Sequence, residues 1–267
     1  MKTLRIILIQ FLLLISTFNE VVAQSKPLKI WSTVNLVVPV SKKIEFKFTY
    51  LRALDFKQLD VDFNQNQMRI DYAFSKKLKL SVGGLSTASN SANAQDKKRL
   101  YICPEYTAIL AKKVRWINGI QFETNSNSET RFKYRIQLQT RVGLKNRIKF
   151  LNLSPSIGYS LFYNLGGAPI QYFNEVGDKT VKQTPNGFHR GRLLINFNSK
   201  INNGFSLRFY YMAQQEFNFL TASNRQMNVT NPKTGYIYRK FDNYHVIGIS
   251  LAYELGRNNG NKPLLNF

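Results

Sequence analysis

Apolar and polar positions alternate over long stretches of this chain. Residues 131–142 read RFKYRIQLQTRV, with Phe132, Tyr134, Ile136, Leu138 and Val142 on one phase, interrupted by Thr140. Arg131, Lys133, Arg135, Gln137, Gln139 and Arg141 occupy the other phase. A period of two over this length predicts a strand, and a long one for a soluble sheet. In a soluble sheet the apolar face would cover a core. In a transmembrane barrel it faces lipid, and the polar face lines the lumen. Similar segments recur near 28–38, 43–54, 67–75, 78–87, 99–110, 114–125, 130–142, 153–165, 188–199, 204–216 and 243–255.

The connections alternate in length. Short turns are expected at 39–42, 75–77, 111–113, 144–149 and 202–204, and longer loops at 55–66, 86–98, 166–187 and 217–242. That rhythm belongs to barrels, whereas a sandwich uses Greek-key connections. The fold class expected is all-β, an antiparallel up-and-down transmembrane β-barrel. Single-chain bacterial barrels have even strand counts, so eleven candidate segments imply about twelve strands, with the missing one near 59–63, or else ten. The loop segment 86–98 (STASNSANAQDKK) is small and polar. The cluster Asn231-Pro232-Lys233-Thr234-Gly235 between short apolar runs predicts a hairpin outside the wall.

The N-terminus changes the picture. Lys2 and Arg5 precede an apolar run at 6–15, and Val21-Val22-Ala23 offers small residues for cleavage after Ala23. This predicts a Sec signal peptide over 1–23; the run is too short for a spanning helix. No Cys follows the cleavage point to carry a lipid anchor. The mature chain is then 267 − 23 = 244 residues, one barrel domain at 24–267, exported to the bacterial outer membrane. The formal charge is +23, and removing Lys2, Arg5 and Glu20 leaves +22. Export argues against nucleic acid as the partner. The remaining anionic partners are outer-membrane lipids, lipopolysaccharide and small anionic solutes. A single Cys, Cys103, permits no intramolecular disulfide, and 20 Phe with 14 Tyr suit lipid-facing bands and interfacial girdles.

Several stretches, taken in order, resemble an uncharacterised family of Bacteroidota outer-membrane barrels, domain of unknown function 2490. They are Trp31-Ser32-Thr33-Val34-Asn35-Leu36, Asp71-Tyr72-Ala73-Phe74 with the Lys-rich turn and Leu80-Ser81-Val82-Gly83-Gly84, and Arg131-Phe132-Lys133-Tyr134-Arg135. Ser160-Leu161-Phe162-Tyr163-Asn164-Leu165, Arg190-Gly191-Arg192-Leu193 and the final segment at 245–253 follow. The resemblance implies an outer-membrane barrel without an agreed activity. Where family members carry a Glu ahead of the aromatic pair matched to Phe162-Tyr163, this chain has Gly158-Tyr159-Ser160-Leu161, so no role for that acid carries over.

The polar phase carries the candidate chemistry. Its bases are Lys47, Arg69, Lys79, Arg99, Arg115, Arg131, Lys133, Arg135, Arg141, Arg190, Arg192 and Arg208, and its acids are Glu45, Asp71, Glu105, Glu123, Glu216 and Glu254: twelve against six. Two readings follow. Rings of Arg and Lys make an anion-preferring pore, with Arg131, Lys133, Arg135, Arg141, Arg190, Arg192 and Arg208 as the path. Alternatively, cross-strand Arg–Glu pairs fill and brace a narrow lumen. The basic turns at Lys42-Lys43, Lys76-Lys77, Lys112-Lys113 and Lys145, Arg147 and Lys149 suit either lipid phosphates or plain solvation.

Catalytic residues are not assigned. Only His189 and His245 are available, both expected on the outward phase near strand ends, with Ser206 and Ser250 the remaining partners to consider in space. Asp60 and Asp62, two His and one Cys give no metal-ligand spacing, and no cofactor is implied. A porin-like channel leads narrowly, a structural or interaction barrel with a plugged lumen follows, and a lipid-modifying enzyme is third.

Overall fold

The computed structural model describes residues 26–90, 95–110, 113–202 and 204–255. The signal peptide expected at 1–23 lies outside the described residues, as do 91–94 of the polar loop and turn positions 111–112 and 203.

Among the described residues, eleven strands close into one barrel. They are β1 (Leu28–Pro39), β2 (Ile44–Asp55), β3 (Val61–Ala73), β4 (Leu78–Ser89), β5 (Lys97–Leu110), β6 (Val114–Asn125), β7 (Tyr134–Leu144), β8 (Leu153–Leu165), β11 (Gly187–Lys200), β12 (Phe205–Phe219) and β15 (Tyr244–Glu254). Two small hairpins, β9 (Ile170–Phe173) with β10 (Lys179–Gln183) and β13 (Val229–Thr230) with β14 (Ile237–Tyr238), occupy the two longest loops. The second is the hairpin expected around Asn231-Pro232.

Each candidate segment became one wall strand, and the expectation of twelve strands, or ten, is corrected to eleven. Of the residues 59–63 expected to hold the missing strand, Val61 to Phe63 belong to β3, which begins at Val61, and Leu59 and Asp60 lie in the loop before it. Its Asn64–Gln67 stretch hides strand character because Asn and Gln read as loop, yet each residue pairs in register with β2 and β4. An odd ring cannot be antiparallel throughout. The mismatch is taken up where the ends meet: β1 and β15 run parallel, Leu28 opposite His245 through Val37 opposite Glu254. Asn35 reinforces that seam. Its Nδ2 donates to Ser250 Oγ at 2.8 Å and to the Leu251 carbonyl at 3.2 Å, and its Oδ1 accepts from Thr49 on β2 at 2.9 Å.

The long loops share one rim and the short turns the other. β1 therefore starts at the long-loop rim, beside the start of β15, and the chain leaves β15 at the short-turn rim. The outer surface follows the alternation: every one of the eleven wall strands keeps at least one large apolar side chain exposed, among them Met68, Leu100, Phe122, Leu138, Phe209 and Ile249. Outward aromatics gather near strand ends, Trp116 and Phe205 toward the short turns and Tyr134 and Phe219 toward the long loops.

The buried apolar cluster sits inside the ring. Tyr210, Met212, Tyr244 and Val246 pack together, with Trp31 and Leu194 against them. Two glycines make this possible. Gly248 on β15 lies opposite Tyr210 on β12, and a Cβ there would run into the Tyr210 ring. Gly83 stands in the same relation to Tyr101. The bare backbone lets each ring lie flat across the neighbouring strand. Gly248→Ala should therefore cost about 1–3 kcal/mol in equilibrium unfolding, as overpacking does. Adding Tyr210→Ser to that variant should recover part of the loss, because the clashing ring is gone.

Candidate functional site

The lumen is divided along its length. Toward the long loops it is filled by side chains; toward the short turns it holds a cavity of about 750 Å³.

The filled half is built on arginine. Arg135 is 3% exposed and donates through Nε and Nη2 to Glu123 Oε2 at 2.8 and 2.7 Å. Its guanidinium lies 4.8 Å from the ring centres of both Phe132 and Phe162. Arg192 lies 5.3 Å from the Phe162 ring centre and donates to Gln214 Oε1 at 2.8 Å. Arg99 reaches Glu123 at 3.3 Å. Next along the wall, Glu216 is 3% exposed and receives Arg190 Nη2 at 2.5 Å and Arg131 Nη2 at 2.7 Å. The Asp242 backbone N–H donates to the same carboxylate at 2.8 Å, and the Glu216 N–H donates to Asn243 Oδ1 at 2.6 Å. A carboxylate with two guanidiniums and a backbone donor has its lone pairs occupied, and bidentate Arg contacts fix its orientation. Stacking on the Phe faces gives the surplus guanidiniums an attractive neighbour without a second charge.

The long loops tie this filling down. Arg239 Nη2 donates to the Thr130 and Ala168 carbonyls at 2.6 and 3.1 Å. Tyr172 donates to the Gln226 carbonyl at 2.9 Å, and burial pushes its phenol up to about 12. Asn218 exchanges hydrogen bonds with the Met227 backbone at 2.8 and 3.0 Å.

The cavity half is different. Its walls carry nine Lys or Arg and three acids, Glu45, Glu105 and Glu254. Arg69 reaches Asp71 at 2.8 Å; Lys79 pairs with Glu105 and approaches Asp71 at 4.0 Å. Arg141 and Arg208 line the same space, with the Arg208 guanidinium 5.2 Å from the Tyr210 ring. Lys145, Arg147 and Lys200, near or in the short turns, complete the rim. Deeper in, a recess of about 250 Å³ reaches Trp31, Leu51, Leu194 and Met212.

The expected lumen residues thus divide. Arg131, Arg135, Arg190, Arg192, Glu123 and Glu216 meet in the filled half, and Arg141, Arg208, Glu45, Glu105 and Glu254 line the cavity, with Asp71 buried behind Arg69. Lys133 is a correction. It is exposed at the long-loop rim, its ammonium 5.5 Å from the Tyr134 ring, because β7 begins only at Tyr134. Phe132 is a second correction: instead of facing outward it is 2% exposed against Arg135. His189 is a third. A register shift between Phe188 and Arg190 turns it from the outer face, leaving it fully buried with Nδ1 3.3 Å from the Phe217 carbonyl. His245 does sit outside, stacked on Tyr211 with 2.7 Å between Nδ1 and the phenol, whereas Ser250 faces the lumen. Among the described residues no group of three His, Cys, Asp or Glu could hold a metal ion.

Phe162, Tyr210, Met212 and Tyr244 carry much of the filling and were not anticipated. For Phe162, Tyr210 and Met212 a signal was present, since they are apolar interruptions of a strand's polar phase, as Phe162 is between Ser160 and Asn164; Tyr244, at the start of β15, had no such signal.

A family model described as "Protein of unknown function (DUF2490)" matches residues 28–226. The chain belongs to this DUF2490 family. The match runs from β1 through β12 and ends ahead of β15, so the last segment of the resemblance lies beyond it. No curated protein matches the chain.

In this DUF2490 barrel, Glu216→Gln should lower stability by about 3 kcal/mol, since it leaves buried guanidiniums without their shared charge. Limited trypsin digestion should then cut faster at Arg131, whose guanidinium Glu216 holds in the wild type. Unchanged stability and unchanged cleavage would show that the network does not hold the loops.

Proposed function

We propose that this chain is a bacterial outer-membrane barrel, exported after removal of 1–23, that acts as a structural or interaction barrel of the envelope rather than as an open porin. The apolar belt on all eleven strands and the aromatics near both rims support membrane insertion. With the short turns in the periplasm, as in other single-chain barrels, β15 ends there and the long loops face outward. The lysines of the short turns then meet lipid phosphates, each worth about 1 kcal/mol near an anionic surface. Lipopolysaccharide neighbours the long-loop side.

One observation carries the choice against an open pore. The guanidiniums of Arg135 and Arg192 are wedged around Phe162, and Glu216 clamps Arg131 and Arg190 across the long-loop half of the lumen. A second reading, an anion-preferring pore, is favoured by the excess of bases over acids in the cavity half.

Planar bilayers separate the two. The purified barrel should be silent, and combined Arg131, Arg135 and Arg192→Gln substitution should leave it silent while lowering its melting temperature. Steady chloride-selective conductance, reduced in that variant, would establish the pore instead. Membrane placement is tested separately. Ile249→Arg, on the outer face, should cost about 2–4 kcal/mol in lipid, whereas Gln137→Arg, on the inner face, should be tolerated. Recovery of the wild-type protein in the soluble periplasmic fraction would refute the outer-membrane assignment.

A further inference from the structure

The cavity half has a composition that bracing does not explain. A side chain present only to brace needs a partner, and Arg141 and Arg208 form no salt bridge among the described residues. The Nε groups of Arg69 and Arg208 are buried and have no acceptor. Buried donors without acceptors are costly. Lys47, Arg69, Arg208 and Arg141 come from four strands, β2, β3, β12 and β7, line one cavity, and each lies within Coulombic reach of two of the others. Asp71 answers Arg69 alone at hydrogen-bond distance. Glu45, Asp71 and Glu105 lie close enough to offset part of the repulsion among these bases, and an anion placed between the bases would offset more of it.

The arrangement also restricts the anion. The donors converge from separate parts of the wall rather than from one plane. A planar carboxylate offers two oxygens, while a phosphate ester offers three acceptor oxygens and close to two charges near neutral pH. Around the bases the wall is rich in amide and hydroxyl groups, including Gln67, Gln139, Asn196 and Ser206, which suit hydroxyls of a polar organic body. A volume of about 750 Å³ accommodates a small metabolite. The inner recess ends on Trp31 and Met212, which sets a limit to how deep the charge can go.

We propose that this chamber binds a soluble organic phosphate bearing two or more negative charges, admitted from the short-turn rim. The site shares only its basic walls with the pore reading, and its test measures binding rather than transport.

The full mature barrel in neutral detergent is titrated by calorimetry with glucose 6-phosphate and with pyrophosphate, and separately with glucose and citrate. Both phosphates should bind and raise the melting temperature, and glucose should not. Arg141→Gln with Arg208→Gln should weaken binding by about tenfold or more, the loss of charged hydrogen bonds. Melting of the unliganded variant shows whether it is folded; the paired Arg→Lys variant, which keeps the charge, should retain most of the affinity. Replacing Lys42, Lys43, Lys76 and Lys77 by Gln should leave affinity within about threefold, since these rim charges are solvent-screened. Phosphatidic acid vesicles distinguish a lipid source: glucose 6-phosphate binding should persist in their presence. Competition by the vesicles, citrate binding as tight as pyrophosphate, equal binding by the Arg→Gln variant, or no phosphate binding would each overturn the proposal.

Discussion

A closed wall with eleven of the twelve expected bases turned into its lumen has to place positive charge where water is scarce. The chain answers with carboxylates that serve more than one guanidinium. Glu123 takes Arg135 and Arg99, and Glu216 takes Arg190 and Arg131. Two acids cannot neutralise every base in that half, so aromatic faces take the remainder, with both Arg135 and Arg192 against Phe162. Every other feature of the long-loop end depends on this arrangement. Arg131 draws the 126–133 segment inward, and the loop before β15 is locked on Glu216 by the Asp242 N–H, which donates to the carboxylate, and by Asn243 Oδ1, which accepts from the Glu216 backbone N–H. Breaking a buried pair is more costly than forming one is favourable, so the network fixes the loops even where its net contribution to stability is modest.

The two halves of the lumen treat the same residue type in opposite ways. Near the long loops arginines have acids and rings within contact distance. Near the short turns Arg141 and Arg208 line the cavity with no salt bridge among the described residues, and Arg208 has the Tyr210 ring beside it. This asymmetry makes one end of the barrel structural and leaves the other available for chemistry, and the apolar cluster of Tyr210, Met212, Tyr244 and Val246 separates them.

Strand positions were legible because alternation is a local property. All eleven wall segments could be read, including β7 from Arg135 onward, and so could the hairpin at 229–238. Local pattern failed where polarity and strand formation part company, as in Asn64–Gln67 of β3. It failed again at Phe132 and His189, where a loop turns inward and a bulge rotates the chain; the partner of His189, Phe217, is distant in sequence, and Phe132 follows Arg131, which is drawn in by the distant Glu216. The inward bases were visible, but their sorting into a plugged half and a chamber was not, because partners such as Arg131 and Glu216 are 85 residues apart. Strand parity was misjudged for a similar reason: nothing local to β1 or β15 announces that the two run side by side.

That parallel seam makes β15 a stave of unusual standing. Every wall strand from β1 to β12 alternates in direction, so β1 and β12 run antiparallel to one another with β15 between them. Those first ten staves already form an even set, and they are the part spanned by the family match. The eleventh widens the ring and converts one seam from antiparallel to parallel. It also brings Tyr244 and Val246 into the lumen, so the strand that breaks the parity also supplies part of the partition between the two halves.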